Sequence, residues 1–100
     1  MLKIDTEFRK GIMFVRPVGS LNKNNINKIV YDDFKYIVIN FDNLLSIDSY
    51  AISYIIEYGK KMKNNDGKLV ICDSKNNKID NFFVNKIPII DNELIAFNSM

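Results

Sequence analysis

Histidine is absent from the 100-residue sequence, and cysteine occurs once, as Cys72. These absences exclude acid–base catalysis by an imidazole, the usual zinc-ligand sets and any disulfide within the chain. The glycine-rich phosphate loops of nucleotide-binding enzymes and the GxSxG nucleophile motif are also missing. Cys72 follows Val70 and Ile71 within a strand of the buried type, which is typical of an inert core thiol. The sequence therefore predicts a protein that is not an enzyme and uses neither metal nor cofactor.

Neither sign of charge is in large excess, because the sequence has 14 basic and 12 acidic residues, for a net charge of +2. This balance gives no general attraction for nucleic acids or anionic membranes. The chain also lacks an apolar run near the ~18 residues of a membrane-spanning helix, and residues 1–7 carry charges where a signal peptide is apolar. We therefore expect a cytoplasmic protein that neither binds nucleic acid nor inserts into a membrane.

What is present is enough apolar sequence for one domain, expected over residues 1–100, because 47% of the residues are hydrophobic. Alternating polarity from Leu2 to Glu7 predicts a first strand, and Arg9–Gly11 a hairpin turn. The second strand begins at Ile12. It is expected to end at Pro17 or to lie at an edge, because proline removes a donor from the ladder.

The strongest helical pattern runs from Ser49 to Lys63, with apolar residues three and four positions apart. Asp48 and Ser49 stand at its start, where side-chain oxygens cap free N–H groups, and Asn65–Gly67 ends it. The continuous apolar runs Tyr36–Phe41 and Lys68–Cys72 predict parallel strands that are covered on both faces.

The other predicted elements are shorter. They are a loop over residues 42–47, a helix with Ile26, Ile29 and Val30 as its apolar stripe, a helix over Ser74–Phe83, an edge strand over Ile87–Ile90, and a final turn of helix capped by Asp91 or Asn92. The order ββαβαβαβα predicts an α/β domain. Its mostly parallel or mixed sheet would have about five strands, with helices packed on it.

Tyr50, Tyr54 and Tyr58 recur every fourth residue and form a ridge beside the apolar stripe of the main helix. One interpretation is a half-exposed flank whose hydroxyls reach water. The other is a surface that binds a partner protein, since tyrosine is enriched at interfaces. The pattern favours neither.

Ser49 follows a predicted loop and begins the main helix. A serine at this place is usually only a helix cap. A phosphate would nevertheless be tolerated there, because the helix dipole and the free N–H groups favour negative charge. The residues themselves leave both interpretations open.

Several segments together resemble the STAS domain family, in particular bacterial anti-sigma factor antagonists. Ile47–Ile52 resembles the family's Asp-Ser-Ser-Gly-Leu signature, and Val15–Asn22 its V-R-x-x-G-E-L-D segment. Tyr36–Phe41 is similar to its central strand, and Asp66–Cys72 to its G-G-x-L-x-L-x strand. Lys86–Ile90 fits the family's ending. The shared order and spacing of these segments carry the resemblance.

The resemblance implies a phosphorylation switch. An unphosphorylated antagonist binds an anti-sigma factor that is also a serine kinase, the kinase phosphorylates the serine after the motif aspartate, and a phosphatase reverses the reaction. That serine is Ser49 here, beside Asp48, and Asn22 takes the position of an aspartate in a loop that faces the partner. Tyr50 replaces the second serine of the motif and Ala51 its glycine.

The predicted partner-binding surface joins these positions to the start of the tyrosine ridge. It comprises Asn22, Asp48, Ser49, Tyr50, Ser53 and Tyr54. The alternative hypothesis is a STAS-type scaffold, in a stressosome-like assembly or beside a transporter, in which Ser49 is not phosphorylated and only caps the helix.

Overall fold

The computed structural model describes residues 2–29, 32–75 and 78–100. Across these residues the chain forms six strands, two α-helices and two short 3-10 helices. The strands are β1 (Lys3–Arg9), β2 (Ile12–Leu21), β3 (Tyr36–Asn40), β4 (Leu44–Ile47), β5 (Lys68–Cys72) and β6 (Ile89–Ile90). The helices are α1 (Ser49–Asn64) and α2 (Glu93–Ser99), and the 3-10 helices are Ile26–Ile29 and Lys78–Phe83.

The strands form one mixed sheet in the order β1-β2-β3-β5-β6, with β4 paired to β2. The hairpin β1–β2 is antiparallel and the other pairs are parallel. At the centre, Val38 of β3 lies between Phe14 of β2 and Val70 of β5, and all three side chains are buried. The predicted α/β class and the mostly parallel sheet are confirmed, with six strands instead of about five.

The prediction that β2 ends at Pro17 or lies at an edge is wrong. β2 continues to Leu21 and has β1 on one side. On its other side it pairs with β3 through Ile12–Val15 and with β4 through Gly19–Leu21. Pro17 lies in the interval between these two pairings, where β2 has no parallel partner among the described residues. A proline therefore fits inside the strand.

The predicted loop over residues 42–47 is wrong from Leu44 onward, because its last four residues form β4. After β3 the chain turns at Asp42 and Asn43 and then continues along the same side of β2. Leu44 is buried, whereas Leu45 and Ser46 are both exposed. With one fully buried residue in four, β4 has no alternating pattern that sequence reasoning could detect.

The two faces of the sheet are covered unequally. The larger core lies between the sheet and α1, and includes Ile37, Ile39 and Ile71 from the strands and Ile55 and Met62 from the helix. The smaller core lies on the opposite face beneath α2. Its buried members are Ile12, Phe14, Val38, Val70, Cys72 and Ala96.

The main helix occupies the predicted span and ends one residue later, at Asn64. The two shorter predicted helices are 3-10 helices rather than α-helices, and they span Ile26–Ile29 and Lys78–Phe83. Val30, predicted in the apolar stripe of the first, lies outside the described residues. The last strand is shorter than predicted, and α2 is capped by Asn92, one of the two predicted caps. Within the described residues, no helix is long and apolar enough to cross a membrane.

Candidate functional site

Asp48 is the residue that caps α1. Its backbone is extended, with φ −88° and ψ 168°, and its Oδ1 accepts the N–H of Ala51 at 2.8 Å. The second oxygen, Oδ2, accepts the N–H of Lys23 at 3.0 Å. One carboxylate thus satisfies a free donor of the helix and also holds the turn that follows β2.

The turn around Asn22 lies beside Asp48 because β2 and β4 pair up to their last residues, Leu21 and Ile47. The carbonyl oxygen of Leu21 accepts the N–H of Asp48 at 3.1 Å. Within the turn, the Asn22 side-chain oxygen accepts the N–H of Asn24 at 2.9 Å, an arrangement that asparagine favours. The structure therefore brings Asn22 and Asp48 together, although 25 residues separate Asp48 from its partner Lys23.

Ser49 is the first residue of α1, and its side chain is exposed. Among the described residues, none forms a hydrogen bond with its hydroxyl group. The interpretation of Ser49 as the cap of the helix is wrong, because the neighbouring carboxylate of Asp48 performs that function. In the part of the chain that the structure describes, the hydroxyl of this exposed residue is therefore not needed to cap the helix.

The tyrosine ridge continues from Ser49 along the outward flank of α1. The Tyr50 side chain is 49% exposed, and its ring centroid lies 6.4 Å from that of Tyr54. Tyr54 and Tyr58 are half-buried and pack against the larger core, whereas Ser53 is exposed. The ridge lines a shallow groove of about 400 Å³, whose lining residues are Tyr50, Ser53, Tyr54, Glu57, Tyr58 and Lys61. The ridge is therefore a half-exposed flank of α1, and its role in binding a partner protein stays a prediction.

A lysine that the sequence analysis did not single out also belongs to this surface. The Nζ of Lys23 lies over the Tyr50 ring, 5.7 Å from its centroid. Ala51, by contrast, is completely buried, so its methyl group adds to the core and not to the surface. Of the two departures from the family motif, only Tyr50 changes the outward face.

A second polar cluster lies on the opposite face and holds α2 to the sheet. Arg16 donates from Nε and Nη2 to the two carboxylate oxygens of Glu93, both at 2.8 Å, and from Nη2 to Glu7 at 2.9 Å. Asn40 also donates to Glu93, at 2.8 Å. The bond from Arg16, aided by that from Asn40, holds the pKa of the Glu93 carboxyl below its usual value. Sequence reasoning missed this cluster because 77 residues separate Arg16 from Glu93.

The thiol of Cys72 is completely buried in the smaller core. Burial raises its pKa to about 12, with Glu93 and Asp42 adding to the effect. The thiol is therefore protonated at neutral pH and is not a nucleophile. In the described part of the chain, no three histidine, cysteine or acidic side chains are grouped so as to hold a metal ion.

Comparison with known proteins relates this arrangement to one family. The family model of the STAS domain matches residues 3–83. The structure of a candidate anti-sigma factor antagonist from Thermotoga maritima aligns with a TM-score of 0.82 at 20% identity, covering 96% of this chain and 92% of that chain. The anti-sigma factor antagonist SpoIIAA in its unphosphorylated form aligns with a TM-score of 0.77 at 13% identity, covering 97% and 96%. The phosphorylated form of SpoIIAA, from Bacillus, gives 0.74 at 16% identity, covering 97% and 98%.

Proposed function

The chain belongs to the STAS domain family, and from this premise we propose that it is an anti-sigma factor antagonist switched by phosphorylation of Ser49. The unphosphorylated form binds an anti-sigma factor that is also a serine kinase, and so releases a sigma factor. Transfer of a phosphoryl group to Ser49 causes the complex to dissociate. A phosphatase that acts on phosphorylated Ser49 restores the binding form.

The observation that carries this proposal is the division of roles between Asp48 and Ser49. Asp48 caps α1, so Ser49 is exposed and its hydroxyl is not needed by the fold. A kinase can reach such a hydroxyl and modify it without unfolding the helix. The first turn of α1 also favours added negative charge, because its N–H groups and the helix dipole point toward this end.

The phosphate is strong enough to act as a switch without a large conformational change. It carries a charge of about −1.5 to −2 at neutral pH. A hundredfold loss of affinity corresponds to about 2.7 kcal/mol. Burying an uncompensated charge in an interface typically costs about 3–5 kcal/mol, which exceeds that requirement.

The residues around Ser49 are exposed or half-buried, which suits a surface that binds a protein partner. Asn22 presents its turn on one side, and Tyr50 and Ser53 continue the surface along α1. The Tyr50 ring, half-exposed beside the modified residue, adds a large apolar contact next to the switch. We therefore propose Asn22, Asp48, Ser49, Tyr50, Ser53 and Tyr54 as the partner-binding residues.

Two substitutions of Ser49 test the switch. Ser49→Ala should bind an anti-sigma factor kinase from the same genome with unchanged affinity and stay bound in the presence of ATP. Ser49→Asp should bind at least tenfold more weakly, because it places a permanent negative charge in the interface. Calorimetric titration of each variant gives the affinities, and Ser99→Ala, on the remote helix α2, is the matched control.

Equal affinity of the two Ser49 variants would refute the switch. Light scattering of the purified protein separates the proposal from the scaffold alternative. A monomer or weak dimer is expected for an antagonist. A large homo-oligomer whose size is the same in both Ser49 variants would favour a STAS scaffold.

A further inference from the structure

We propose that Lys23 responds to the phosphorylation state of Ser49, resting on Tyr50 in the unphosphorylated protein and binding the phosphate when Ser49 carries one. This inference rests on the proposed modification of Ser49 and adds an intramolecular step to it. Phosphorylation would then change the partner surface at two places: at Ser49 itself, and at the Tyr50 ring that Lys23 leaves.

The geometry places Lys23 against both neighbours of Ser49. Its main-chain N–H donates to Asp48 Oδ2 at 3.0 Å, which holds the turn against the residue before Ser49. Its Nζ lies 5.7 Å from the ring centroid of Tyr50, the residue after Ser49. The backbone anchor does not depend on the lysine side chain, so the ammonium can move while the turn stays in place.

A phosphate competes well with the tyrosine ring for this ammonium. The contact with the ring is a cation–π interaction at an exposed site, which is weak. A phosphate carries more charge and offers three acceptor oxygens, and a bond from an ammonium to such a group is a strong, charge-assisted one. The lysine side chain has a flexible four-carbon stem and three donor hydrogens, so it can turn from one partner to the other.

The lysines of α1 itself are poorly placed for this role. Lys60, Lys61 and Lys63 lie in the last turns of the helix. At a rise of 1.5 Å per residue, Lys60 is about 16 Å further along the axis than Ser49. Lys60 moreover pairs with Glu57 at 3.4 Å. Lys23, by contrast, is a cation that the fold brings to the first turn of α1 from a different part of the chain.

The movement of the Lys23 ammonium from Tyr50 to the phosphate changes the start of the tyrosine ridge. In the unphosphorylated protein, the Lys23 ammonium sits at the start of the ridge, where Tyr50 also contacts Tyr54. When the ammonium moves to the phosphate, the exposed Tyr50 ring loses its cation and can take another rotamer. The phosphorylated free protein also gains a contact, which lowers its tendency to return to a partner that offers no cation.

The test uses the full chain with phosphoserine placed at position 49 by codon suppression, so no kinase is needed. In the unphosphorylated protein, NMR should show the ε-methylene protons of Lys23 shifted upfield by the ring current of Tyr50. This shift should disappear in Tyr50→Leu and also in the phosphorylated protein. A phosphorus NMR titration at low salt should give a phosphate pKa about 0.5–1 unit higher in Lys23→Gln than with Lys23 present, because a nearby cation favours the dianion.

Lys63→Gln is the matched control, since it removes a lysine from the far end of α1 and should leave the phosphate pKa unchanged. The inference is overturned if the Lys23 protons keep their upfield shift in the phosphorylated protein, or if Lys23→Gln leaves the phosphate pKa where it was. Both measurements are made without a partner protein. The two NMR results can therefore contradict the role of Lys23 even if Ser49→Ala and Ser49→Asp differ in affinity for the partner. They can also support that role even if the two variants bind equally.

Discussion

At the scale of single residues, the first turn of α1 separates a structural carboxylate from a chemically available hydroxyl. Each oxygen of Asp48 accepts one main-chain N–H, from Ala51 and from Lys23. Ser49 is adjacent in sequence and exposed, and it is the carboxylate of Asp48 that accepts both of these donors. The serine that we propose as the regulatory position is therefore free to be modified, because a different residue, Asp48, caps the helix.

This separation predicts that two alanine variants differ in the free energy of unfolding. Asp48→Ala should lower the free energy of unfolding by about 1–3 kcal/mol, since it removes a helix cap and the acceptor for the Lys23 N–H. Ser49→Ala should change it by less than about 0.5 kcal/mol, as for other exposed positions. Urea denaturation followed by circular dichroism measures both. A cost for Ser49→Ala as large as that of Asp48→Ala would contradict the assignment of the cap.

At the scale of elements, the C-terminal end of α1 shows how a helix is stopped before a buried strand. The N–H of Gly67 donates to the carbonyl of Met62 at 2.7 Å, and that of Asp66 donates to Lys63 at 3.2 Å. Asp66 takes the left-handed conformation, with φ 64°. This is a Schellman motif, in which glycine normally occupies the position that Asp66 holds. Gly67 is needed for another reason, since a Cβ there would lie 2.6 Å from the carbonyl oxygen of Lys35.

The two neighbours should therefore respond in opposite ways. Asp66→Gly should raise the free energy of unfolding by about 0.5–1 kcal/mol, because glycine adopts a positive φ without steric cost. Gly67→Ala should lower it by more than about 1 kcal/mol, because the added methyl group meets the main-chain oxygen of Lys35, just before β3. Thermal and urea unfolding of both variants gives the values. A stabilised Gly67→Ala would show that the close approach to Lys35 is not tight.

At the scale of the whole molecule, the groups with shifted pKa values in the described part of the chain lie on the face of α2, away from Ser49; they are Arg16, Cys72 and Glu93. The Arg16–Glu93 pair attaches this seven-residue helix, which is too short to be stable alone, and Cys72 lies in the core beneath it. The polar contacts that hold α2 and the partner surface that we propose therefore lie on opposite faces of the sheet.

The pH dependence of stability follows from these groups. Glu93 has a lowered pKa when folded, so its contribution is present above the pKa of about 4.3 of an unfolded glutamate and is lost as the pH falls through its folded value. Cys72 has a raised pKa of about 12, so stability is lost as the pH rises above about 8.5, where an unfolded thiol ionises. Without histidine, the free energy of unfolding should be nearly constant from about pH 6 to 8.

Urea unfolding at several pH values, from about 2 to 11, measures this profile. Glu93→Gln should lower stability at neutral pH by about 1–2 kcal/mol and make the acid side less steep. Cys72→Ala should make the alkaline side less steep. If the free energy of unfolding fell equally steeply toward acid pH in the protein and in Glu93→Gln, the Glu93 carboxyl would not contribute to the pH dependence of stability.

How much of the structure can be predicted from sequence depends on how local each signal is. The span of α1 and the strands β3 and β5 follow from their own apolar patterns, because the period of a pattern is a property of neighbouring residues. The continuation of β2 past Pro17 and the presence of β4 do not follow from such local patterns. Both depend on which strand lies beside β2 at each residue, which is a matter of register between distant segments.

The candidate site divides in the same way. The sequence by itself determined the fold class, the start of the main helix and, through a resemblance, the serine that we propose as the switch. Only the tertiary structure decided that Asp48 and not Ser49 is the cap, that the Asn22 turn and Lys23 lie against this helix start, and that Arg16 holds α2. The physical reason is that these contacts join residues far apart in the chain. They exist only after β2 and β4 have paired and α2 has packed on the sheet.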